Sequence, residues 1–230
     1  MADEPSYDAW IDRLRLEPVL FDTMIVRHLC AVGSGDYLAE AFAGRLVWPE
    51  AVNAELTLQS DRIRPLRNFL SSRPATVLEV DAADEPEVED IRLDMYTKRA
   101  ARLSDTEHLG EAQCLFFAER DGYPIATNDG RARARARASW DERTNAPRIA
   151  GKKKVDAFHI IEVLLVMIRA GTCRPGIAWS LYEKAVAGGL YESPGFEIPG
   201  ARPRFLRDAS TIAALGQTER TIRKDPRSDV

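Results

Sequence analysis

The stretch Leu109–Arg133, LGEAQCLFFAERDGYPIATNDGRAR, decides how this chain is read. Leu109–Arg120 has helical composition, with Ala112, Leu115, Phe116 and Ala118 available for a buried side. Asp121-Gly122 stops that helix. Pro124–Thr127 is a short apolar run that reads as a strand, and Asn128-Asp129-Gly130 is turn chemistry. The stretch is therefore half of a helix–strand crossover. It carries Glu111 near the helix start and Asp129 just past the strand end. Acids suit helix starts, and Asp suits turns, without any further role. Their meaning depends on where the rest of the chain sends its carboxylates.

Upstream, residues 7–16 form a short helix with Trp10, Ile11 and Leu14 on one side. Val19-Leu20-Phe21 reads as a buried strand ending at Asp22-Thr23, and Met24–Ala31 continues with helical spacing. Asp36–Ala43 is helical, and Leu46-Val47-Trp48 is a second strand. Pro49 suits the first turn of the helix that follows, Pro49–Gln59, which carries Glu55. Residues 62–71 are amphipathic, and Ala75–Val80 is a third strand. Asp81–Asp90 holds six acids in ten residues, a solvated loop leading into a helix over Glu87–Leu103. Ser104-Asp105-Thr106-Glu107 has capping-box spacing, so the helix of the opening stretch can begin there. Glu107 and Glu111, four apart, share a helix face.

Downstream, Arg131–Ala138 is RARARARA, two strong helix formers directly after a turn. On a helix Arg131 and Arg135 lie on one line, and Arg133 and Arg137 on another. Residues 131–154 hold nine Lys/Arg against two acids. Such a face is either simply solvated or a surface for a phosphate backbone. Arg148-Ile149-Ala150 is the expected fifth strand, and Val155–Arg169 is an apolar helix stopped by Gly171. Asp156 is expected to cap that helix, with a place bordering the site as the alternative, and His159 to be structural. Pro175-Gly176 opens a further helix to Ala187. Residues 200–230 carry seven Lys/Arg against four acids and one short apolar stretch, so they read as a tail, one helix followed by disorder. The expected division is an N-terminal helical extension over 1–17, a main domain over 18–199 and the tail over 200–230.

The 230 residues, 45% hydrophobic and 30% charged, fit an ordinary globular protein. A net charge of −4 argues against a surface coated for non-specific nucleic-acid binding and leaves room for a local basic patch. Cys30, Cys114 and Cys173 are odd in number and widely spaced, which fits a reducing cytoplasm rather than a disulfide framework or zinc site. The three histidines have no metal-ligand spacing. The acidic start MADEPSYDAW lacks the layout of a signal peptide, and no apolar run is long enough to span a bilayer, so no membrane partner is expected.

Alternating strands and helices imply an α/β fold: three layers, α/β/α, around a central parallel sheet of about five strands. With strand 1 central, the order is 3-2-1-4-5. The switch point then lies between strands 1 and 4, where sites form at the carboxyl ends of strands. Asp22 and Asp129 end those two strands, and Glu55 and Glu111 can reach the same crevice. Four carboxylates in one place repel one another. A hard divalent cation, Mg²⁺ or Mn²⁺, removes the conflict. Such a site activates water and stabilises the attacking and leaving oxygens of a phosphodiester. Thr23, Thr127 and Asn128 are placed to hydrogen-bond the ligands.

At these residues the chain resembles the PIN-domain nucleases. The resemblance is carried by FDTMIV, WPEAVNAEL and the opening stretch, and covers roughly residues 18–195. It implies that Asp22, Glu55, Glu111 and Asp129 are the catalytic acids. Asp22, Asp129 and Glu111 would bind the metal, and Glu55 would complete the site or orient the attacking water. Whether Glu107 rather than Glu111 is the third ligand is open. The segment EVLLVMIRAGTCRPGIAWSLYEKAVAGGLY is similar to the last helices of a toxin-like bacterial subgroup, with departures around Glu162-Val163 and Arg174-Pro175. Met24 stands where many relatives carry Asn or Ser, and the basic segment after Asp129 is longer than usual. The resemblance implies metal-dependent cleavage of RNA, homodimers, and a small antitoxin as partner of a toxin. Arg131, Arg133, Arg135 and Arg137 would then hold substrate phosphates. Two other functions compete: a non-catalytic module of the same fold binding RNA or protein, and an aspartate-nucleophile phosphatase, which lacks its D-x-D because residue 24 is Met.

Overall fold

The computed structural model describes residues 7–72, 75–96, 108–141, 144, 146–189 and 201–224. The chain runs α1 (Tyr7–Leu16), β1 (Val19–Phe21), α2 (Thr23–Ala31), α3 (Gly35–Ala41), β2 (Leu46–Pro49), α4 (Glu50–Ser60), α5 (Arg64–Ser72), β3 (Thr76–Leu78) and α6 (Glu85–Met95). It continues through α7 (Leu109–Asp121), β4 (Ile125–Ala126), α8 (Gly130–Ala138), β5 (Trp140–Asp141), β6 (Ala146–Pro147), β7 (Ala157–Phe158), α9 (Ile160–Ala170), α10 (Pro175–Ala187) and α11 (Ala201–Lys224). Ser104 and Glu107 lie outside the described residues, as does the expected continuation of α6 past residue 96.

The central sheet has five parallel strands in the order β3-β2-β1-β4-β7. It is the middle layer of a three-layer α/β/α fold, as the alternation of strands and helices requires. Val19, Leu20 and Phe21 of β1 are each 0% exposed, since a central parallel strand is covered on both faces. On one side of β1, Val19 registers with Leu46; on the other, Phe21 registers with Ala126. The Asp22 N–H donates to the Ala126 carbonyl at 3.1 Å, which draws the end of β1 alongside the end of β4. α7 packs with α4, α6 and α8, while α9 packs with α1, α3, α10 and α11. Gly122 ends α7 at φ +84°, a left-handed value that a residue with a Cβ adopts only at a cost.

Three expectations need correction. The fifth strand is Ala157–Phe158, not Arg148–Ala150. Arg148, Ile149 and Ala150 are exposed beside the small antiparallel pair β5–β6. The apolar helix accordingly starts at Ile160 rather than Val155, and Asp156 caps nothing. Asp156 sits at the amino end of β7, away from the site, and pairs with Arg13 of α1. Finally, the expected helix of the tail is present as α11, but residues 201–217 pack on the main domain. Ala201, Phe205, Ala209 and Ile212 of α11 join the core, with Phe205 5.3 Å from Trp179 of α10. α1 is equally integral, since Ile11 and Leu14 are buried in the same core. Among the described residues no helix is long and apolar enough to cross a membrane.

Candidate active site

The carboxyl ends of β1 and β4 each deliver an Asp that caps a helix. Asp22 Oδ1 accepts from the Ile25 N–H at 2.9 Å, starting α2. Asp129 Oδ1 accepts from Arg131 N at 2.8 Å and Ala132 N at 2.7 Å, starting α8. Both carboxylates therefore stand at positive helix ends in one crevice. Thr127, fully buried, links them: its hydroxyl accepts from the Asp129 N–H at 3.0 Å and hydrogen-bonds the Asp22 carboxyl. Thr23 does the same for the third acid, donating to Glu55 Oε2 at 2.5 Å. Glu55 also accepts from the Gly110 N–H. That approach is close: a Cβ on residue 110 would lie 3.1 Å from Glu55 Oε1 and 3.0 Å from Val52 Cγ2, so both side chains would have to give by a few tenths of an ångström. Gly110 thus lets α7 pack closely on α4 and brings Glu111 within reach of Asp22 and Glu55.

The electrostatics follow from this crowding. Asp22 is 3% exposed, and its carboxyl is pushed up to about 7. Burial is the main cause, repulsion by Glu111 and Asp129 adds to it, and the bonds from Thr127 and Ile25 oppose it. Burial also raises Glu55, with Glu111 adding and the Thr23 bond opposing. The thiol of Cys114, buried behind the acids, is raised by burial first and then by Asp22, Glu111 and Glu55. Glu111 thus acts on both Asp22 and Glu55, and Asp129 acts on Asp22.

Sequence reasoning missed the rim. His108 precedes α7 in the left-handed region at φ +62°, and its Nδ1 is 3.7 Å from Glu111 Oε1. Its ring stacks on Tyr96, with centroids 3.9 Å apart. Burial pushes the Tyr96 phenol up, and Asp129 and Glu111 push it further. Nothing in the pattern around Tyr96 or His108 signals these contacts, which arise only when α6 packs on α7.

The four arginines diverge. Arg131 is exposed, with its guanidinium 4.7 Å above the Tyr96 ring. Arg133 turns toward His159. Arg135 is committed to Glu119 at 3.2 Å and to Asp94. Arg137 is exposed. Asn128 Oδ1 accepts from Ile160 N at 2.9 Å.

The donor set is all oxygen, the class that Mg²⁺ and Mn²⁺ accept. As the side chains stand, however, no three His, Cys, Asp or Glu among the described residues form a group that could hold a metal ion. No family model, curated protein or solved structure matches the chain.

Proposed function

We propose that the chain is a Mg²⁺- or Mn²⁺-dependent endoribonuclease of the PIN type, acting in the cytoplasm. The observation that carries this reading is Asp22. A carboxyl held near neutrality by burial, with Glu111 and Asp129 adding, destabilises the empty site and favours a divalent cation. Its place at the switch point between β1 and β4, together with the resemblance of FDTMIV and the opening stretch, supports the same conclusion.

Asp22, Asp129 and Glu111 would hold the ion, which when bound supplies charge for the phosphodiester oxygens and an activated water. Closing the ligands takes side-chain movement. Glu111, held by His108 at 3.7 Å, is freest to make it. Glu55, kept in place by Thr23 and Gly110, orients the attacking water. Thr127 keeps Asp22 and Asp129 in fixed relation. A toxin role, with a small antitoxin covering the site and a homodimer as the assembly, extends the reading by resemblance.

Purified protein is expected to cleave labelled RNA when Mn²⁺ is added, and Asp22→Asn or Asp129→Asn to abolish cleavage. Undiminished cleavage by both variants overturns the assignment. The lack of a gathered three-ligand group among the described residues favours one rival, a non-catalytic module that binds RNA or protein. Thermal melting separates the two. Mn²⁺ should raise the midpoint of a metal-binding site and leave a pure binding module unchanged.

A further inference from the structure

Arg133 turns back over the N-terminus of its own helix. Its Nε donates to the Asp129 carbonyl at 3.4 Å, and a Cβ on Gly130 would lie 4.0 Å from its Nη2. Its Nη1 donates to Nε2 of His159. His159 ends β7 and opens α9, with its N–H bonded to Glu162 Oε2 at 2.9 Å. β7 pairs directly with β4, so His159 and Asp129 stand at the ends of neighbouring strands. The guanidinium therefore bridges from the backbone of an expected metal ligand to the end of β7, on the side of β4 away from β1.

The nature of its partner matters. Arg135 is neutralised by two carboxylates, Glu119 and Asp94. Among the described residues no carboxylate forms an ion pair with Arg133, and Glu162 and Asp129 act on it only from beyond ion-pair distance. A neutral imidazole with its Nε2 lone pair toward the guanidinium holds it in place and adds no opposing charge of its own. A half-buried cation, held in one orientation with donors to spare, suits a planar two-point contact to phosphate.

We infer that Arg133 anchors the substrate phosphate next to the scissile one, and that His159 is the positioning residue that aims it. This rests on the nuclease reading for the identity of the ligand, and it singles out one arginine of the four. It also gives His159 a role beyond ending a strand.

The test measures binding apart from cleavage. Fluorescein-labelled oligouridine is titrated with the full chain in EDTA, and cleavage is followed separately with Mn²⁺. Arg133→Ala should weaken binding about tenfold, the loss of a charge-assisted contact. It should also lower the slope of log Kd against log salt by about 0.7, one phosphate on a single strand. His159→Ala should raise Kd and KM several-fold with kcat nearly unchanged. It should leave the salt slope intact, because the charge remains. His159→Gln, whose side-chain oxygen also accepts from a guanidinium, should restore KM. Arg64→Ala, an exposed arginine on α5, should behave as wild type.

Unchanged Kd in Arg133→Ala overturns the anchor, as does a wild type that binds no oligouridine. Unchanged KM and Kd in His159→Ala, or no rescue by Gln, overturns the positioning role. A wild type that fails to cleave, while both variants still weaken binding as stated, sinks the nuclease reading alone.

Discussion

A buried carboxylate lies near each end of α7, Asp22 from the end of β1 and Glu119 from the helix itself, and the two are treated in opposite ways. Near its C-terminus Glu119 is fully enclosed, yet Arg135 Nε lies 3.2 Å from one oxygen and Lys152 Nζ 4.0 Å from the other. Those cations are tied outward in turn, Arg135 to Asp94 and Lys152 to Glu87, so α6, α7, α8 and the segment before β7 are laced together. Near its N-terminus α7 brings Glu111 to Asp22, and Asp22 finds further acids in place of cations. Burial raises both carboxyls. At Glu119 the neighbouring arginine pulls the value back down; at Asp22 the neighbouring acids push it further up. The same burial is thus compensated at one end of α7 and left uncompensated at the other.

Asp22→Asn should give the largest effect, in two opposite directions. Cleavage with Mn²⁺ should fall by more than about 100-fold, beyond what losing an outer partner of a metal ligand costs. The metal-free fold should become more stable. Asp22 has an unfolded value of 3.8 and a folded value of about 7, so the native state binds its proton more tightly. Its contribution is fully present below about pH 4, is lost as pH rises toward 7, and stays lost above. The difference is at most about 4 kcal/mol. Asparagine cannot ionise and keeps the cap to Ile25. Urea unfolding of variant and wild type should therefore coincide at about pH 4, with the variant ahead at pH 8. A variant less stable than wild type at pH 8 would show that Asp22 is neutralised as Glu119 is.

Glu119→Ala is the mirror experiment. It leaves Arg135, only 15% exposed in its side chain, with the exposed Asp94 as its remaining carboxylate partner. Breaking a buried pair from one side costs about 3 kcal/mol. The thermal midpoint should drop by several degrees, while Mn²⁺-dependent cleavage below that midpoint persists. Loss of cleavage with unchanged stability would mean that Glu119 belongs to the chemistry, and the contrast between the two ends of α7 would fail.

The part of this contrast that could be read in the sequence is the acidic end. Asp22 and Asp129 follow short apolar runs, and right-handed crossovers leave few orders for the strands, so the order and the meeting point follow from local patterns. The balanced end was hidden, because Arg135 lies in a repeat of identical Arg-Ala pairs and nothing local says which arginine meets Glu119. The last strand was misplaced for a related reason. No turn residue separates Phe158 from the apolar run of α9, so strand and helix merge into one hydrophobic segment. His159 is not a usual helix cap; Glu162, three residues on, supplies the bond to its N–H. Helix α11 looked like a tail because its buried stripe is only one residue per turn, Ala201, Phe205, Ala209 and Ile212. That spacing was visible, and a search for a narrow stripe finds it.

The smallest expected effect tests how finely the acidic end is tuned. Thr23 holds Glu55 by one hydrogen bond of 2.5 Å, the strongest influence opposing the rise that burial imposes. Thr23→Val removes the donor and keeps the shape, at a stability cost of about 1 kcal/mol. Without that donor the Glu55 carboxyl rises further, and a residue that orients water must be ionised to do so. The acid limb of the kcat profile should therefore move to higher pH. The deficit against wild type is largest at low pH and shrinks as pH rises past the new value. Thr23→Ser keeps the hydroxyl and should restore the limb. A deficit in Thr23→Val that is the same at every pH would assign Thr23 to packing and remove Glu55 from the proton-sensitive part of the site.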